Sequence, residues 1–170
     1  MNSNAPAGRQ GSTLVEVLVA FGILAIGYVA ISTTCSTCMG IVKNQRETMA
    51  AAQNLQERMT QIQAAGWPQL TDATALSQGV MAVASPQADS LNQANETILV
   101  TTYPPVTPAA SPLKVKRSGG VVTIVSAPPG GLSVRQIVAV RVDVHIDWKS
   151  GQRTRTRELS TIVALGGLLH

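Results

Sequence analysis

Four groups of side chains have the types and spacing to do chemistry, and each calls for a different kind. Glu16 is a carboxylate just inside a long apolar run. Carried into a bilayer it costs a few kcal/mol on insertion scales, so it needs a partner or a task. Cys35-Ser-Thr-Cys38 has the C-x-x-C spacing of a redox pair or half a zinc site, but no βαβ pattern surrounds it and two further zinc ligands are missing. Small apolar packing is expected there; a disulfide closed within one helical turn would strain the helix. Asp143, His145 and Asp147 alternate along a strand pattern. Successive same-face side chains of a strand stand roughly 6.5–7 Å apart, too far for neighbours to chelate one ion easily. A solvated outer face is the expectation. Arg153, Arg155 and Arg157 alternate as well, with Lys149 and Arg141 as candidate neighbours. Such a stripe suits nucleic-acid phosphates or another anionic surface, or else a charged outer face that blocks edge-to-edge strand pairing. No aromatic residues interleave to stack bases, which favours the charged outer face. There is no Ser/His/Asp order, no His-Glu-x-x-His and no phosphate-binding glycine loop, so no enzyme, metal or cofactor is expected.

The elements that must position these groups begin with an N-terminal helix. From Val17 to Val42 no residue is charged. As a helix that run is about 39 Å long at ~1.5 Å per residue, against roughly 30 Å of bilayer hydrocarbon, so it can span. Val17 to Ile31 is almost wholly apolar, and Ser32-Thr-Thr-Cys-Ser-Thr-Cys38 softens the remainder. Arg9, alone before the run, favours a cytoplasmic N-terminus, with Lys43 and Arg46 on the far side. An ordinary secretory signal has a shorter apolar run and is cut after it; here Arg9-Gln-Gly11 precedes it.

The residues Gly11-Ser-Thr-Leu-Val-Glu16, followed by a long uncharged helix, resemble the class III signal of type IV prepilins and type II secretion pseudopilins. The resemblance implies that a membrane aspartyl peptidase cuts between Gly11 and Ser12 and methylates the new N-terminus. It makes Glu16 the family's glutamate at the fifth mature position. Ser12 stands where the family usually has Phe or another large apolar residue. Cleavage would create an ammonium at Ser12, and a buried carboxylate is tolerable when paired with a cation. In a fibre, Glu16 would dock on the terminal ammonium of an adjacent subunit and set its axial register.

Beyond Val42 the pattern turns amphipathic. Thr48, Ala52, Leu55, Met59 and Ile62 form a narrow stripe to Ala65, and Gly66 with Pro68 ends it. Trp67 to Glu96 reads as a polar connector with at most a short strand or helical turn. Strands are predicted at Thr97–Tyr103, Leu113–Lys116, Val121–Val125, Ile137–Trp148 and from Arg153 to Val163, three or four of them laid antiparallel on the helix. In the fourth segment Val140, Val142, Val144, Ile146 and Trp148 face one way, and a turn over Lys149–Gln152 follows. This hairpin resembles the C-terminal one of PilV-type minor pilins and the type II secretion pseudopilin I. Charged residues are only 13% of the chain and aromatics 3%, so the core must be aliphatic and modest. The net charge of +4 is strung along the second half rather than packed in a block.

The expected fold class is α+β: a long N-terminal helix, membrane-spanning then amphipathic, packed on a small antiparallel sheet as in pilins. The expected organisation is a leader over 1–11, a fibre-core helix over 12–42, its amphipathic half over 43–66 and a periplasmic sheet domain over 67–170. The function this implies is that of a minor pilin, in or at the tip of a type IV pilus, priming assembly. The alternatives are a type II secretion pseudopilin and an uncleaved, signal-anchored surface-binding module. Implied partners are other minor pilins and the major pilin, the prepilin peptidase, the inner-membrane assembly platform and the inner membrane, with nucleic acid not expected. The protein would cross the inner membrane once, with its C-terminus periplasmic, before entering a fibre at the cell surface.

Overall fold

The computed structural model describes residues 10–84, 90–105, 111–129, 132 and 137–166, with the side chains of 10–13 left aside. Residues 1–9 of the expected leader, Pro108 and the Gly130–Gly131 pair lie outside the described residues. Helix α1 runs Gln10–Ala64. Two short helices follow, α2 over Trp67–Thr71 and α3 over Ala73–Gln78. Five strands complete the fold: β1 Asn95–Tyr103, β2 Leu113–Ser118, β3 Val121–Ser126, β4 Ala139–Ser150 and β5 Arg153–Ala164. They form one antiparallel sheet in the order β3-β2-β1-β4-β5. The class is α+β, as expected, with one strand more than the three or four anticipated. The chain divides into two compact units, Met1–Asn44 and Gln45–His170.

Within the second unit α1 buries a stripe at 47, 50–51, 54–55, 58–59 and 62, the three-and-four spacing of a helix with one covered face. Leu55, Met59 and Ile62 of the predicted stripe are in it. Thr48 and Ala52 stand at its margin, half-buried, and Glu47, Asn54 and Arg58 occupy the stripe itself. Ala50, Ala51, Leu55, Met59 and Ile62 join Ile98, Val100, Val115, Val142 and Val144 in a single aliphatic core. On β4 the alternation holds, with Val140, Val142 and Val144 fully enclosed and Ile146 and Trp148 nearly so.

The segment after Gly66 is more ordered than a polar connector. Pro68 sits at the start of α2, where its missing N–H costs nothing. Asp72 caps α3 by accepting from the Thr74 N–H at 2.7 Å. Leu70, Leu76 and Met81 are fully buried and close one side of the core. Helices of five and six residues are shorter than any window in which helical periodicity can register, which is why composition alone pointed to a loop.

The turns follow from glycine. Gly119 and Gly120 have φ of +55° and +82°, as a two-residue hairpin between Ser118 and Val121 requires. Gly151, at φ +62°, opens the two-residue turn between Ser150 and Arg153, so β4 reaches two residues into the predicted Lys149–Gln152 turn, while β5 starts at Arg153 as expected.

Candidate functional site

The strongest candidate is the N-terminal part of α1. Its large apolar side chains from Leu14 to Val42 are uncovered: Leu18, Phe21, Ile23, Leu24, Ile26, Tyr28 and Ile31 are all exposed. By length and composition α1 is suited to crossing a membrane, and the most apolar part has no residue buried within the protein. An aqueous surface of this kind would cost about 25 cal/mol per Å² of apolar area left in water, so this surface calls for lipid or other protein.

Four hydroxyls of the Ser32–Cys38 stretch are satisfied within the helix. Thr33 Oγ1 donates to the carbonyls of Val29 (3.1 Å) and Ala30 (2.9 Å), and Thr34 Oγ1 to Ala30 at 2.9 Å. Ser36 Oγ donates to Ser32 at 3.0 Å and Thr37 Oγ1 to Thr33 at 2.9 Å. These four hydroxyls are bonded inside the helix, the condition for a polar group in an apolar medium. Cys35 and Cys38 are free and exposed on this same stretch.

Glu16 sits exposed in the helix, and among the described residues no hydrogen bond or ion pair reaches it. It is the lone charge between Leu14 and Val42, on a surface otherwise suited to hydrocarbon. Gly11 and Ser12 lie in the helical backbone of α1, and their side chains are outside the described residues.

The other candidates resolve differently. Asp143, His145 and Asp147 do share the sheet face away from the core, but each is engaged. Asp143, only 9% exposed, accepts from Arg141 Nε at 2.8 Å and Ser160 Oγ at 2.5 Å. His145 Nδ1 lies 3.3 Å from Glu158, and Thr156 donates to Asp147 at 2.5 Å. The expected solvated face is thus a laced one at Asp143, where Arg141 and Ser160 cover the carboxylate. Among the described residues no group of three His, Cys, Asp or Glu side chains is placed to hold a metal ion.

The arginine stripe is on the opposite side from the one expected. The pairs Ser150–Arg153, Trp148–Arg155 and Ile146–Arg157 put all three arginines on the core side of the sheet, beside the buried Trp148 and Ile146. Arg141 and Lys149, paired with Ile162 and Thr154, point the other way. The stripe is therefore not the outer face. It is the part of the inner face that runs past the core on an edge strand: Val163 is buried, Leu159 is 38% exposed and Arg157 is exposed.

Sequence reasoning missed Arg58, which is 1% exposed. Its guanidinium pairs with both carboxylate oxygens of Glu96, reaching Oε2 at 2.8 Å, and also donates to Gln61 Oε1 at 2.6 Å, the Val80 carbonyl and the Val83 carbonyl at 3.1 Å. Arg117 adds donors to Met81 O at 3.1 Å and Val83 O at 2.7 Å. Two arginines thus hold the strandless segment after α3 against α1 and the sheet. The signal was present as parity: Glu96 falls on the inward positions of β1 with Ile98 and Val100, and Arg58 on the inward stripe of α1. No protein-family model, no curated protein and no solved structure matches the chain.

Proposed function

We propose that the chain is a type IV pilin-like subunit of the minor kind, processed between Gly11 and Ser12 and inserted once in the inner membrane. In this reading its C-terminal domain is periplasmic before it enters a fibre and primes assembly with sister pilins. The observation that carries the reading is Glu16: a lone carboxylate, five residues after a glycine, on the otherwise apolar and uncovered part of α1. A fibre of packed helices supplies both what that surface lacks, apolar cover and an ammonium from the next subunit. The second part of the same helix, built into a sheet domain, supports a subunit rather than a bare anchor.

The N-terminus is the test. Mass spectrometry of protein from cells that possess the peptidase should find a chain beginning at N-methylated Ser12. An intact leader would instead make the protein a signal-anchored module. Glu16→Ala should insert normally and fail to enter fibres, and normal incorporation of that variant would remove the docking role. Deletion then separates the two secretion-related outputs: loss of surface pili fits the minor pilin, and loss of protein export fits the type II secretion pseudopilin.

A further inference from the structure

Among the described residues six of the eight Lys and Arg side chains on the sheet lie toward one end, with Lys114 and Arg141 toward the other. The register places Lys116 and Arg117 of β2, Lys149 of β4 and Arg153, Arg155 and Arg157 of β5 toward the end marked by the two glycine turns. The opposite end, at Tyr103, Ala139 and Ala164, has no charge in those positions. At the basic end the carboxylates are occupied: Glu96 by Arg58, Asp147 by Thr156 and Glu158 by His145. Arg117 is engaged with carbonyls. Among the described residues Arg153, Arg155 and Arg157 have no hydrogen-bond or ion-pair partner.

Arg155 and Arg157 line a hollow of about 300 Å³ with Thr48 of α1, Thr156 and Trp148. Trp148 is 2% exposed, and its indole N–H has no partner among the described residues. The hollow thus combines two unneutralised guanidiniums, which fork to match phosphate oxygens, with an aromatic wall. Its position along the chain says which anion is at hand. Thr48 stands six residues past Val42, the last residue of the uncharged run. Covalent reach alone keeps it within about 20 Å of the end of that run, whatever course the chain takes.

We propose that this hollow and its arginine stripe bind the phosphate headgroups of anionic lipids in the bilayer that α1 enters, holding the sheet domain on the membrane surface before assembly. The proposal rests on α1 spanning the membrane and is independent of cleavage or of fibre entry. Juxtamembrane cations gain about 1 kcal/mol each near an anionic surface, roughly fivefold in occupancy per arginine. Tethering beside the bilayer makes the encounter intramolecular.

The test uses the full chain reconstituted in vesicles of phosphatidylcholine alone, or of equal parts phosphatidylcholine and phosphatidylglycerol. Flotation at high salt first establishes insertion, so failure to span is seen separately from failure to dock. Amide hydrogen exchange is then read along β5, with β1 as the control for folding. Phosphatidylglycerol should slow exchange at 153–158 severalfold in the wild type and leave β1 unchanged. Arg155→Gln with Arg157→Gln should remove the β5 effect, whereas Lys43→Gln with Arg46→Gln should retain it. Equal β5 exchange in the two vesicles, or an effect that survives the arginine double variant, would overturn the proposal. Two additions to phosphatidylcholine vesicles distinguish other phosphate sources. Inorganic phosphate or a single-stranded oligonucleotide that alone reproduces the arginine-dependent slowing would reassign the site to a free anion or to nucleic acid.

Discussion

The two parts of α1 belong to one continuous helix and meet opposite fates. Between Leu14 and Val42, Leu, Ile, Val and Phe side chains are left uncovered, while between Glu47 and Ile62 the enclosed stripe includes an arginine, an asparagine and a glutamate. The apolar part is outside and some of the most polar atoms are inside. Burial in this protein is decided by whether a complementary surface exists, and hydropathy alone does not report that. A guanidinium is enclosed because Glu96, Gln61 and two carbonyls meet it; leucines between 14 and 42 are uncovered because nothing among the described residues packs on them.

The contrast can be broken most forcefully at Arg58. Arg58→Ala leaves the Glu96 carboxylate enclosed beside orphaned carbonyls and should destabilise the sheet domain by about 3–5 kcal/mol in chemical denaturation. Membrane insertion of α1 should not change. Glu96→Ala should cost less, because Arg58 would still donate to Gln61, Val80 and Val83. A double-mutant cycle should show strong coupling between the two.

A volume change sharpens the same comparison. Ala51 is fully enclosed, so Ala51→Leu should overpack the core and cost roughly 1–3 kcal/mol. Ala25→Leu, the same change on the uncovered part, should leave the melting of the sheet domain unmoved and only deepen partition into membranes. If the two variants melted alike, α1 would not be divided as described. The smallest effect is expected at Thr33→Val. The hydroxyl there only returns to its own helix, and its loss should change insertion or stability by about 0.5 kcal/mol or less.

Much of the fold was legible because its signals are local. The uncharged run from Val17, the stop at Gly66 and Pro68, and the β4 alternation each lie within a dozen or two neighbouring residues. The candidate site was legible in the same way, since a carboxylate is conspicuous on an apolar helix wherever that helix goes. Helices α2 and α3 were not legible, because five or six residues carry too little periodicity and owe their helical state to Leu70 and Leu76 packing into the core.

By itself, then, the sequence determined the long helix, the strands and which residues alternate together, because these depend on near neighbours along the chain. The tertiary structure alone decided which side of the sheet the arginines occupy and which polar side chains are enclosed. Parity says that Arg153, Arg155 and Arg157 share a face. Only the pairing of Arg155 with Trp148 says that it is the core face, at a place the core does not cover. Likewise the charge of Arg58 is tolerable inside only because β1 brings Glu96 to it, an adjacency between residues far apart in the chain that no local pattern encodes.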